Sequence, residues 1–126
     1  MVVIRDVTDL RVYKLSLELL EPLYNIAYKI PHLKLRVQLI NSGEAIAPLI
    51  AEGFAKKRNQ KEAIRFYEMA MAESDEVVTH LRKAIILSKR FKSISEKDCT
   101  NLESEYKSLS KQINSMIKIW GSYKRD

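Results

Sequence analysis

The stretch Ala63 to Ser88, AIRFYEMAMAESDEVVTHLRKAIILS, decides the fold. Within it Ala63, Tyr67, Ala70, Ser74, Val77, Leu81, Ala84 and Ser88 alternate four and three residues apart. At about 3.6 residues per turn this spacing holds them on one helical face, whereas a strand would scatter them over both of its faces. Neither Gly nor Pro interrupts the run. The stretch reads as a long helix with one continuous seam.

Outward from it, the seam recurs. Cys99, Leu102, Tyr106, Leu109, Ile113, Met116, Trp120 and Tyr123 carry it toward the C-terminus, and Leu10, Tyr13, Leu17, Leu20, Tyr24 and Ala27 toward the N-terminus. Thr8 or Asp9 is the expected N-cap of that first segment. The segment between is helical but less regular, with Leu39, Ile46 and Ile50 sharing a face with Gly43 and Gly53. Glycine there lets a neighbouring backbone approach closely, at a cost of about 1 kcal/mol each relative to Ala. Pro31 stops the first segment, because the residue before a proline is pushed out of the helical region. Pro22 and Pro48 predict bends rather than breaks, since the apolar pattern resumes on both sides.

Connections fall at residues 30–35, 54–60 and 91–95. All are short enough to force antiparallel neighbours. The expected fold class is all-α: one domain over residues 1–126, an antiparallel up-down-up-down four-helix bundle with helices at about 9–29, 33–54, 60–89 and 95–120.

Composition agrees. The chain has 126 residues, 46% apolar and 30% charged, with three Gly and three Pro, too few turn residues for a sandwich or barrel. Its single cysteine, Cys99, excludes an intramolecular disulfide and fits a reducing cytosol. The apolar run Val37 to Ile50 contains Glu44 and falls short of the ~20 residues a membrane span needs. No signal peptide is legible at Met1, and a cytoplasmic protein is expected.

Some apolar residues lie off the seams. Ile64, Met71, Val78 and Ile85 recur every seven residues, and Val12, Leu15, Leu19, Leu23 and Ile26 form a second stripe on the first segment. Either these widen the core-facing face or they form a surface for assembly. The assembly reading assigns Ile64, Met71, Val78, Ile85, Leu15 and Leu19 to an oligomer interface.

Several strings resemble a known family. Leu10-x-Val12-Tyr13, then Pro31, Gln38-Leu39-Ile40 and Ile50-Ala51-Glu52-Gly53-Phe54, are similar to the small bacterial four-helix-bundle proteins encoded within 23S ribosomal RNA intervening sequences. Their relatives include the accessory variability determinant (Avd) of diversity-generating retroelements. Lys61-Glu62, Phe66-Tyr67 and Ala70 continue the likeness, which runs from about Asp9 to Leu109. Leu49 stands where the family carries Asn, and Glu73-Ser74 where it carries Gly-Ser. The resemblance implies a homo-oligomeric, pentameric barrel of bundles without catalytic activity. For the retroelement branch it also implies a reverse transcriptase partner and its template RNA, or RNA/DNA.

Twenty-two Lys and Arg against sixteen Asp and Glu give a formal +6, which makes a polyanionic partner plausible. Lys56, Lys57 and Arg58 with Lys61 and Arg65 crowd the second connection. Lys89, Arg90 and Lys92 occupy the third, and Lys34 and Arg36 follow the first. In an up-down-up-down bundle the first and third connections share one end, while Arg5, Lys124 and Arg125 join the second. Cations in a last helical turn also complement the dipole, yet one or two per end suffice for that. Three in succession suit phosphate neutralisation, and these ten residues are the candidate nucleic-acid contacts. Without a base-reading array, backbone and shape should dominate over base sequence.

Other chemistry finds little support. A di-iron bundle needs two Glu-x-x-His pairs, whereas His80 follows Glu76 by four and His32 falls in a loop. Cys99 has no ligand nearby in sequence and reads as a small core residue. No phosphate loop or nucleophile elbow occurs. No metal, cofactor, catalytic residue or small-molecule substrate is expected. Glu52, set between apolar residues, should be bound from another helix or subunit, and the seam tyrosines should pack rather than stack on bases.

Overall fold

The structure, a computed structural model, describes residues 4–122, so the expectations placed on Tyr123, Lys124 and Arg125 lie outside the described residues. A short 3-10 turn at Val7–Asp9 precedes α1 (Arg11–Glu18), α2 (Leu20–Ala27), α3 (Leu33–Ala55), α4 (Gln60–Leu87) and α5 (Glu96–Ser122). Among the described residues there is no strand. Among those residues no helix is long and apolar enough to cross a membrane.

The first segment is two helices, not one bent helix. Pro22 lacks the N–H that would bond the Glu18 carbonyl, and the helix is interrupted at Leu19, where ψ is −10°. At Pro48, by contrast, α3 runs through. Neither Thr8 nor Asp9 caps α1. The Asp6 carboxylate accepts from the Thr8 N–H at 3.2 Å, and Asp9 reaches back to the Asp6 N–H at 3.0 Å. This reciprocal capping closes the 3-10 turn and leaves Leu10 extended before the helix proper. Side chains also start α3 and α4, where His32 Nδ1 accepts from the Leu35 N–H and Asn59 Oδ1 from the Glu62 N–H.

On α4 and α5 the seams are the core. Ala63, Tyr67, Ala70, Ser74, Val77, Leu81 and Ala84 are buried, facing Cys99, Leu102, Tyr106, Leu109 and Ile113. On the first segment the two stripes exchange roles: Val12, Leu19, Leu23 and Ile26 are buried, while Leu17 is 45% exposed. Ser16 sits in the middle of the inward stripe, and its buried hydroxyl, donating to the Tyr13 carbonyl at 2.7 Å, disguises that stripe in the sequence. Of the six residues assigned to an oligomer interface, burial removes two and leaves four partly exposed. Leu19 and Val78 are buried within the chain, and Leu15, Met71 and Ile85 are half-buried against the same core, because the faces beside the seams are covered by neighbouring helices. Ile64 is also half-buried.

The helices form a four-sided bundle in which α3 touches α1, α2 and α4, and α5 touches α4, α1 and α2. Both glycines of α3 mark close approaches. A Cβ on Gly43 would come within 2.5 Å of one terminal methyl of Leu23. One on Gly53 would meet the Tyr67 ring at 2.6 and 2.8 Å and the Ala63 carbonyl at 3.1 Å. Between α4 and α5 a buried polar node adds direction to the packing. The Ser110 hydroxyl donates to Ser74 Oγ at 2.8 Å, which donates to the Tyr106 carbonyl at 3.0 Å.

Gly53→Ala should destabilise the chain by about 1–3 kcal/mol in urea unfolding, because ring and backbone block the new methyl. Gly43→Ala should stay within about 1 kcal/mol of the parent, since the helix-propensity gain offsets the displacement of one flexible methyl. Equal losses would show that the Tyr67 ring moves aside freely. Ser74→Ala should cost about 1–3 kcal/mol by leaving the Ser110 hydroxyl buried without its acceptor. Adding Ser110→Ala should then cost less than the sum of the single losses.

Candidate nucleic-acid interface

Residues 56–59 connect α3 to α4, and Lys56 is the C-cap of α3. Two phenylalanines organise the cations there. The Lys57 ammonium lies 4.5 Å from the centre of the Phe54 ring, and the Arg65 guanidinium 4.8 Å from that of Phe66. Lys56 also approaches Phe66, at 5.9 Å. Carboxylates engage two of these groups: Glu52 lies 3.8 Å from Lys56, and Glu62 3.4 Å from Arg65. Within the chain, Glu52 is thus met by the cation one turn on, at the cap of its own helix. Its exposure explains the difference, because an exposed carboxylate meets the nearest i+4 cation first. Arg58 and Lys61 are exposed, as is Lys57.

At the other end the Ser93 hydroxyl donates to the Lys29 carbonyl at 2.7 Å, joining the first connection to the third. Lys34, Lys89, Arg90 and Lys92 are all exposed there. Arg36 is different. Its Nε and Nη2 donate to the Ile30 carbonyl at 3.1 and 2.9 Å, and its guanidinium lies 5.9 Å from the centre of the Tyr28 ring. A carbonyl past the end of α2 has no helical donor, and this forked cation supplies two. Arg36 thus commits Nε and Nη2 to the fold, unlike the other cations of this end. Lys34, two residues earlier, has no such duty to a carbonyl.

Tyr28, which the seams passed over, is 65% exposed beside Arg36 and Tyr24. It is an aromatic face among the cations of this end. The only sequence signal for it was its place off the seam in the last turn before Pro31. Tyr67 and Tyr106 are fully buried, and burial pushes the Tyr67 phenol up to about 12. Tyr24 donates to Glu44 at 2.5 Å, and this bond, which favours the protonated phenol, raises it to about 12 as well.

The remaining reactive groups face packing. Cys99 is buried, and its thiol is pushed up to about 11, mainly by desolvation. His80 is 7% exposed, with Nε2 at 3.5 Å from Glu76, and burial holds it below the ordinary histidine value. Among the described residues no three His, Cys, Asp or Glu side chains converge as metal ligands.

A sequence profile for the 23S rRNA-intervening sequence protein family matches residues 8–115. No curated protein matches the chain. The matched span runs from the 3-10 turn through most of α5, and so takes in Gly43, Gly53, the α4 seam, the α5 seam as far as Ile113, and the three connections. The chain belongs to the 23S rRNA-intervening sequence protein family.

Proposed function

We propose that this protein is a non-enzymatic, homo-oligomeric scaffold of the cytoplasm that binds structured RNA through its phosphate backbone. The observation that carries the reading is the state of six cations. Lys57, Arg58 and Lys61 at one connection and Lys89, Arg90 and Lys92 at another are exposed, and among the described residues none lies in an ion pair. Unpaired surface cations release counterions from a polyanion without first giving up an internal partner.

The up-down-up-down path belongs to this reading, since it gathers the connections at the two ends. Its support is the opposite run of contacts between α4 and α5: Tyr67 with Trp120, Ser74 with Ser110, Arg82 with Glu103. A ring of copies, five as the family resemblance implies, repeats each cluster around one axis and multiplies a weak phosphate contact. A reverse transcriptase working on the same RNA is the protein partner that the retroelement branch implies. The rival reading, an interaction module whose cations only solubilise it, draws on Lys57 and Arg65, which already rest on aromatic rings.

Replacing Lys56, Lys57 and Arg58 with Gln should weaken binding to structured RNA and flatten its salt dependence, by about 0.9 in log–log slope for each phosphate no longer neutralised. Helix content and oligomer mass should not change, because these side chains lie outside the core. Replacing Lys89, Arg90 and Lys92 is the comparison. Equal weakening would mean a diffuse field of charge, and no weakening from either would leave the interaction module as the function.

A further inference from the structure

Tyr28 differs from the other described tyrosines of this bundle. Tyr67 and Tyr106 are buried and Tyr13 and Tyr24 half-buried, whereas Tyr28, the C-cap of α2, is 65% exposed. Its neighbours are nonetheless fixed. The Arg36 guanidinium lies over one face of the ring, 5.9 Å from its centre, and the Ile30 carbonyl holds it there through Nε and Nη2. The Tyr24 ring stands 6.5 Å away, tilted by 46°, with its hydroxyl bonded to Glu44. A ring with a cation over one face, and still largely in water, has its other face open.

Cations gather from this ring toward the end of the bundle. Lys29 is the next residue, and its carbonyl accepts from the Ser93 hydroxyl at 2.7 Å. That bond brings Lys92, one residue before Ser93, to the same place, with Lys89 and Arg90 earlier in the same connection. All four are exposed, and among the described residues none lies in an ion pair. Glu44, the carboxylate bonded to Tyr24, lies in the other direction, one turn of α2 back from Tyr28.

We propose that the open face of Tyr28 is a stacking platform for an unpaired RNA base, with Lys29 and Lys92 on the phosphates beside it. The inference rests on the RNA-binding reading above and says which part of an RNA is taken. Every base has a π-face, so stacking on an aromatic ring adds affinity without reading sequence. Bases inside a duplex are already stacked on one another, so the platform selects loops, bulges and splayed nucleotides. Arg36 and Tyr24 hold the ring before the base arrives, which lowers the ordering cost of binding. Glu44 repels a phosphate on its side, so the strand leaves the ring toward Lys29 and Lys92. An apolar side chain of a protein could cover the same ring, but it would leave the cations unanswered. A nucleotide meets both.

The test is fluorescence anisotropy with two labelled RNAs of equal phosphate number, a plain duplex and a duplex interrupted by an unpaired internal loop. Circular dichroism follows the helices, which a change at so exposed a position should not disturb. The parent should bind the looped RNA more tightly. Tyr28→Ala should weaken that binding about 5- to 100-fold, the usual worth of one stacked base, and leave the duplex affinity as it was. Tyr28→Phe keeps the face and should stay within about twofold of the parent. The salt dependence of Tyr28→Ala should match the parent's, because the ring neutralises no phosphate, whereas Lys29→Gln with Lys92→Gln should flatten it. A parent that binds neither RNA removes the RNA-binding reading together with this one. A parent that binds both RNAs equally, or a looped complex that Tyr28→Ala leaves as tight, keeps RNA binding and overturns the stacking site, leaving the ring to a protein partner. Equal weakening of both RNAs by Tyr28→Ala, or a loss in Tyr28→Phe as large as that in Tyr28→Ala, also overturns it.

Discussion

The packing of α3 on α4 depends on an absent methyl group. Gly53 has no Cβ where the Tyr67 ring passes, and the ring in turn lies 5.9 Å, centre to centre, from Trp120 of α5. One backbone position thus sets the spacing of three helices. Tyr67 is fully buried there, and its hydroxyl has no hydrogen-bond partner among the described residues. Burying an unpaired hydroxyl is costly, so the gain from ring packing and close helix approach must exceed that cost.

From that contact the bundle becomes more polar inside than its seams suggest. Ser16, Ser42, Ser74 and Ser110 are all buried, and Ser74 and Ser110 hold each other across α4 and α5. Apolar packing alone tolerates small slips between helices, whereas a hydroxyl pair bonded to one particular carbonyl does not. The helix ends are handled by side chains as well: Asp6, His32, Asn59 and Ser95 each accept from a backbone N–H that would otherwise lack a partner. Arg36 does the converse for a carbonyl.

Charge then follows geometry. Exposed cations run along α1, α4 and α5 as well, but the densest groups, at residues 56–58 and 89–92, lie where the chain turns. Those near Phe54 and Phe66 lay their charge over aromatic rings, while those on the α4–α5 connection project into water. The sides are not uniform either, with carboxylates along the α1–α2/α5 groove and lysines along the α3/α4 groove. A net charge of +6 is thus a sum over regions of opposite sign.

The three long helices, the seams of α4 and α5, the close approach at Gly53 and the cationic connections were legible in the sequence. Each depends on residue type and on spacing along one helix, which the chain itself specifies. Val12–Leu19–Leu23–Ile26 and Leu10–Tyr13–Leu17–Leu20 have equivalent spacing, so periodicity could not say which stripe turned inward. Packing against Gly43 decided that, through Leu23. The role of Arg36 was hidden in the same way, because its acceptor is a carbonyl six residues back, around a turn whose shape is not written in spacing. Sequence spacing gives an angle about one helix axis, and only the neighbours in space determine what lies at that angle.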